Sequence, residues 1–408
     1  MRNNTSWLQH IPKHWEVKRM KDIFLESDEI TETGKEDLLS VSEYYGVARR
    51  KDKMTEDEVY ETRADSLIGY KVCHRGDLVS NIMLTWKRAL GISNYDGIVS
   101  PAYAVYKGLG INSGYYHYLL RSDMYIAEFK RQSKGIIESR LRLYTDRFYN
   151  IPAIYPPLSE QEKIAHYLDK KVGDIDQKVS LIEKKIERYQ LLKKSIINEV
   201  VTKGLHPEAP LKDSQISWLG QIPAHWEVKR LKDLHSGANV GESIDKEYWS
   251  SNSFDKIFYT AGETFIYSTY ENFPKYKLVG KDDLLLSRNG TPYVYLPKLN
   301  ALYTDHIIRI RLKTELCDKR YVRYCLQRSI EFEKVDVVML ATWSMSIWNE
   351  QKISLPPLSE QQEIASYLDQ KCADIDAIIA NCTAQIEKYK TLKRALINEV
   401  VTGQRAIE

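Results

Sequence analysis

Leu158–Thr202 reads LSEQEKIAHYLDKKVGDIDQKVSLIEKKIERYQLLKKSIINEVVT, and Leu358–Thr402 repeats it without a gap, 24 of 45 positions being identical. Each copy follows two prolines, so the doorway PPLSEQ stands twice in the chain, at Pro156–Gln161 and at Pro356–Gln361. Paired prolines cannot continue a helix upstream, and Ser159 with Glu162, like Ser359 with Gln362, has the spacing of a capping box. The doorway therefore predicts where a helix starts. Beyond it, apolar residues recur at alternating steps of four and three. Leu168, Ile175, Ile182, Tyr189 and Ile196 hold one heptad position, and Val172, Val179, Ile186 and Val200 the other. The second copy places Leu368, Ile375, Cys382, Tyr389 and Leu396 opposite Cys372, Ile379, Ile386 and Val400. A seam of that length predicts a coiled coil, the two copies packing on each other as an antiparallel pair. Lys193 and Lys393 interrupt the same seam position, where a polar residue can fix register or can merely snorkel.

Upstream of each half lies a second repeat. Ser6–Asp22, SWLQHIPKHWEVKRMKD, matches Ser217–Asp233, SWLGQIPAHWEVKRLKD, at 13 of 17 positions. The order is thus connector, block, long helix, twice over: connector 1–22, block 23–157, helix 158–203, connector 204–233, block 234–357, helix 358–408. The blocks share only turn-bounded strands and a Tyr-rich stretch near their ends, from Tyr115 and from Tyr321, where short helices are predicted over Tyr115–Lys130 and Tyr321–Val335. A kept framework around diverged blocks suggests two readers of different things. Because a connector precedes both blocks, the arrangement should be cyclic, with the chain's end beside the N-terminal connector. The fold class expected is α+β: two mixed α/β domains separated by an antiparallel coiled coil of two long helices, with pseudo-two-fold symmetry.

Composition narrows the function. The chain has 408 residues, five cysteines without a CxxC pair and no apolar run approaching a membrane span. This predicts a cytoplasmic protein with reduced thiols and no membrane partner. Net charge is only +3, but it is unevenly distributed. Residues 26–65 hold 13 acidic and 6 basic side chains, and residues 66–157 hold 12 basic and 6 acidic. Such a local basic face can bind phosphate.

Catalytic signals are absent from the sequence: no phosphate loop, and no zinc-ligand spacing. The Pro-Pro pairs superficially resemble the base-holding motif of adenine methyltransferases. They follow Ile154-Tyr155 and Ser354-Leu355, so the preceding Asn or Asp that would accept the amine hydrogens is missing. Recognition chemistry is better represented. The first block carries Arg49-Arg50-Lys51, Trp86-Lys87-Arg88, Lys134, and Arg140 with Arg142; the second carries Arg288-Asn289, Thr291, Arg309, Arg311 and Trp343. Arginine can read guanine bidentately and asparagine adenine, while lysine mostly positions phosphate. All of these except Arg309 and Arg311 are the candidate DNA-binding residues. His306 is expected to be a strand residue bonded to Asp305 or to backbone.

The doorway and the DID and INEVVT elements of the long repeat, with IPxHWEVKRLKD of the connector, resemble the specificity (S) subunit of type I restriction–modification systems, along essentially the whole chain. The resemblance implies a non-catalytic subunit that reads a bipartite target in double-stranded DNA, one half-site per block, with the helices as spacer. It implies two methyltransferase subunits as partners for adenine-N6 methylation, and restriction subunits where present. S-adenosylmethionine, ATP and magnesium would all be bound by those partners, with no cofactor in this chain. The alternative is a coiled-coil scaffold binding protein or RNA partners; a third reading, an enzyme with a dispersed site, has no motif to support it.

Overall fold

The computed structural model describes residues 11–53, 66–260, 262, 264–289, 292–333 and 342–407. Helices run unbroken from Leu158 to Lys203 and from Leu358 to Val401. The chain divides into two compact units, Met1–Glu183 with Thr383–Glu408, and Lys184–Cys382. Each unit therefore holds one variable block, the start of one long helix and the end of the other.

Both helices are capped two residues before the expected position. The N–H groups of Glu160 and Gln161 donate to the Pro157 carbonyl at 2.9 and 3.0 Å, and that of Gln361 to the Pro357 carbonyl at 3.0 Å. The second proline is thus the cap itself, a place where its missing N–H costs nothing. Ser159 and Ser359 fall inside the first turn, and the capping box does not form among the described residues.

In the first unit, Ile164, Ala165, Leu168 and Ile175 share a core with Leu396, Val400 and Val401. The start of one helix meets the end of the other, so the pair is antiparallel. In the second unit Ile364, Ala365, Leu368 and Cys372 meet Val200 and Val201 in the same way. Both seam lysines reach across. Lys393 Nζ lies 2.7 Å from both carboxylate oxygens of Asp176, and Lys193 Nζ 2.7 Å from both of Asp376. The polar break is therefore a repeated interhelical ion pair.

The block of the first unit is built on an antiparallel sheet in the order Phe24–Glu26, Tyr103–Gly108, Leu78–Asn81, Leu90–Ile92. A hairpin, Leu39–Ser42 with Gly46–Arg49, and a second antiparallel pair, Lys71–Cys73 with Gly97–Val99, accompany it. The predicted helix near Tyr115 is two helices, Ser113–Leu120 and Asp123–Gln132, broken at Arg121 and Ser122. The block of the second unit has one four-stranded sheet, His235–Val240, Ile307–Leu312, Asp283–Ser287, Val294–Tyr295, and another, Trp249–Ser250, Phe265–Ser268, Lys256–Tyr259, Leu302–Tyr303. Its helix runs Lys319–Glu333; Val335 lies outside the described residues. The Tyr-rich stretches tie each block to the last turn of a long helix. Tyr115 Oη donates to the Val401 carbonyl at 2.9 Å. In the second unit Tyr321 Oη donates to the Ser354 carbonyl at 3.1 Å, and Ser354 Oγ to the Val201 carbonyl at 2.7 Å.

The doorway and the connector are two parts of one clasp. EVKR of each connector forms a strand, Glu16–Arg19 or Glu227–Arg230, antiparallel to the strand that enters the doorway, Pro152–Tyr155 or Lys352–Leu355. Glu160 accepts from His14 Nε2 at 2.9 Å and Trp15 Nε1 at 2.8 Å; Glu360 accepts from His225 Nε2 at 2.9 Å and Trp226 Nε1 at 3.1 Å. The next residue binds the block. Buried Gln161 accepts from the Asn112 N–H and donates to the Pro156 carbonyl; Gln361 accepts from the Asp318 N–H and donates to the Pro356 carbonyl. The cyclic arrangement is present too. Gly403, at φ +70°, sits so close to the N-terminal connector that a Cβ would lie 2.4 Å from Pro12 Cγ, and Gly204, at φ +74°, would meet Trp226 Cζ2 at 3.0 Å.

Candidate nucleic-acid interface

The candidate cations of the first unit fall into three groups. Strand Gly46–Arg49 runs into a turn of 3-10 helix, Arg50–Lys53. There Lys51 Nζ lies 2.8 Å and Arg49 Nε 3.5 Å from Asp37, and the Arg49 guanidinium stacks 4.8 Å above the Tyr95 ring. The Lys51 hydrogen bond holds the Asp37 carboxyl below its ordinary range. Arg50 sits near enough to Tyr103 for its charge to act on the phenol.

The second group surrounds Trp86. The indole is largely buried, its Nε1 donating to the Met83 carbonyl at 3.0 Å, and the Lys87 and Lys130 ammonium groups lie 5.0 and 5.2 Å from the ring. Arg88 is turned inward. At φ 68° its Nε donates to the Arg121 carbonyl at 2.9 Å, and its guanidinium pairs with Asp123. Arg121 returns bonds to the Arg88 and Leu90 carbonyls at 2.7 and 2.6 Å, and burial, with the Arg88 charge beside it, lowers its guanidinium to about 10. Arg88 is thus engaged in a half-buried lock with Arg121 and Asp123.

The third group is a compact basic hairpin. Lys134 and Arg142 bridge each other, and Lys134, Arg140 and Arg142 line one hollow with Gly135, Ile136 and Tyr144. All three cations are exposed and carry no ion pair among the described residues. Sequence spacing gave the charges but no sign that the intervening Ile136 and Ile137 stand out in solvent.

In the second unit Arg288 and Asn289 follow strand Asp283–Ser287. Arg288 is exposed; its N–H donates to the His306 carbonyl at 2.8 Å, and its own carbonyl accepts from the Trp343 N–H at 2.7 Å. Trp343 is largely buried against Trp348, 5.1 Å between ring centroids. Asn289 Nδ2 lies 2.7 Å from His306 Nδ1. His306 is therefore a turn residue and not a strand residue; it bonds to backbone through its carbonyl, as expected, while its ring meets Asn289 and not Asp305. Arg288, Asn289 and Trp343 come together; Thr291 lies outside the described residues. Arg309 and Arg311 do not join them. Both are bound to Asp283, which is fully buried, with Arg309 Nε at 3.5 Å and Arg311 Nε at 3.1 Å. Alternation along strand Ile307–Leu312 brought these arginines to a structural carboxylate, a partner 26 or more positions away that no local pattern indicates.

All five cysteines are buried and free. Burial pushes the thiols of Cys73, Cys317 and Cys325 up to about 12, so they are inert. Among the described residues there is no cluster of three or more metal-ligating side chains, and no helix is long and apolar enough to cross a membrane.

A family model described as Type I restriction modification DNA specificity domain matches residues 223–388. The chain is 28% identical over 63% of its length to the type I restriction enzyme MjaVIII specificity subunit of Methanocaldococcus jannaschii, covering 63% of that protein. It is 25% identical over 98% of its length to the MjaIX specificity subunit of the same organism, covering 95% of it. Among solved structures, a chain from work on complex assembly and conformational transition of the type I R-M system superposes with a TM-score of 0.71, at 17% identity, over 96% of this chain and 98% of that one. That last likeness is one of fold. The specificity-domain match begins in the second connector, and along nearly its whole length the chain is similar to type I restriction–modification specificity subunits.

Proposed function

We propose that this chain reads DNA sequence for a type I restriction–modification complex, each variable block taking one half of a split target. In this reading it is not an enzyme. It positions two methyltransferase subunits for adenine-N6 methylation, and restriction subunits where the host has them. S-adenosylmethionine, ATP and magnesium are then the partners' ligands. The observation that carries the reading is the repeated clasp: the same Glu–His–Trp and Gln contacts mount two unlike blocks on equivalent ends of the long helices. A framework that duplicates its mounts but not its blocks serves two different ligands of one kind.

The basic hairpin and the Arg288–Asn289 turn are the residues through which the two blocks would meet DNA. Lys134, Arg140 and Arg142 suit phosphate, and Asn289 suits a base edge. The test uses the full complex with its methyltransferase subunits, on the duplex that methylome sequencing identifies. Alanine at Lys134, Arg140 or Arg142 is expected to weaken binding on all sequences and to reduce the salt slope by about one each. Asn289→Ala should instead cost about 1–3 kcal/mol of discrimination at one base pair. A complex that binds target and scrambled duplexes equally would overturn the reading.

A further inference from the structure

The hairpin around Lys134 has a feature that phosphate binding alone leaves without a role. It is stiff: Lys134 and Arg142 exchange both backbone hydrogen bonds at 2.9 Å, and Gly135 lies so close to Arg140 that a Cβ would come within 2.5 Å of its carbonyl oxygen. A 3-10 turn, Glu138–Arg140, closes the far end. Buried Leu143 roots the hairpin, donating its N–H to the Ile82 carbonyl at 2.9 Å. On this rigid mount Ile136 is 96% exposed and Ile137 53%. Scattered apolar residues on a surface are ordinary, but a fully exposed isoleucine held at a fixed tip gains nothing from folding.

Its surroundings say what would cover it. Lys134, Arg140 and Arg142 flank the tip without an ion pair among the described residues, and the hairpin's one carboxylate, Glu138, is taken by Lys130. A protein surface that received Ile136 would also have to supply acidic groups for three cations. Duplex DNA supplies phosphates on both sides of every base step, and between them apolar ring faces that a side chain can part. Apolar wedges beside basic residues unstack and kink DNA in this way.

We propose that Ile136, backed by Ile137, is a wedge that enters a base step of the half-site read by residues 23–157, while Lys134, Arg140 and Arg142 hold the adjoining phosphates. The proposal rests on the DNA-reading function above and deepens it by naming how one block engages the duplex. Because the hairpin is already ordered, insertion incurs little loop-ordering cost.

The experiment uses the complete complex with its methyltransferase subunits and a duplex carrying the target from methylome sequencing. 2-Aminopurine is placed in turn at each adenine of that half-site other than the methylated one. With the native chain, fluorescence should rise at a single step, and end-to-end energy transfer should report a bend. Ile136→Ser should abolish both signals and weaken binding by about tenfold or more, whereas Ile136→Leu should keep them. Assembly with the methyltransferase subunits, followed by the mass of the complex, should be unchanged. The wedge is overturned if Ile136→Ser unstacks and binds like the native chain. It is overturned equally if that variant fails to assemble, which would make the tip a protein contact. Equal binding of target and scrambled duplexes by the native complex would instead remove the DNA-reading function, and the wedge with it.

Discussion

Glu160 and Glu360 occupy the same position of the doorway, yet their surroundings differ. The Glu160 side chain is 36% exposed and that of Glu360 14%, and Trp226 is fully buried where Trp15 keeps some solvent contact. Removing the carboxylate strands an indole N–H, and a buried unsatisfied donor costs about 1–3 kcal/mol. Glu360→Ala should therefore lie in that range by urea denaturation, and Glu160→Ala should cost less. A second residue-scale expectation concerns His117, whose Nδ1 accepts from the Ile92 N–H at 3.2 Å. Burial, and then the Arg121 charge, lower its imidazole from 6.5 to about 4. Between those values the unfolded chain takes up a proton that the folded chain refuses. This contribution to stability is complete above 6.5 and is lost as the pH falls towards 4. His117→Asn keeps an acceptor but cannot titrate, so the difference in urea midpoint between about pH 7 and about pH 5 should shrink in that variant.

At the scale of elements, the long helices are held by the apolar residues of their seam more than by its ion pairs. Leu168 and Leu368 are fully buried, whereas the seam lysines pair with aspartates that remain 56–58% exposed. Leu368→Ala should cost about 2–5 kcal/mol. Lys193→Ala or Lys393→Ala should cost less than about 1 kcal/mol, because solvent screens the pair. Chemical denaturation distinguishes the two, and a lysine variant as damaging as the leucine would show the ion pairs to be structural keystones. The helices were legible in sequence because a heptad seam is periodic and their repetition excluded chance. Their caps lie two residues earlier than the Ser–x–x–Glu pattern suggests. A Ser–x–x–Glu pattern is visible in sequence, while the ability of Pro157 to cap with its own carbonyl depends on backbone geometry.

At the scale of the whole molecule, both long helices run through both compact units, so residues added to them are added between the mounts of the two blocks along the chain. In the proposed function, inserting one heptad at matched seam positions of both helices should lengthen the gap between the methylated adenines, and methylome sequencing reads that gap directly. Replacing residues 23–157 by a different block should change one half of the target and leave the other.

Repetition, periodicity and proline placement determined the architecture from sequence alone: where the helices lie, that they pair, and that the chain closes on itself. Each of these is a local or self-repeating pattern, and the fold preserves it. Which charged residues are taken up by partners within the chain was decided only in three dimensions. Arg88 and Arg121 lock each other across 33 positions, Arg309 and Arg311 neutralise buried Asp283, and His306 orients Asn289. An arginine that meets a buried carboxylate and one that meets solvent look alike in a sequence, because the partner that separates them is brought by the sheet and not by the neighbouring residues.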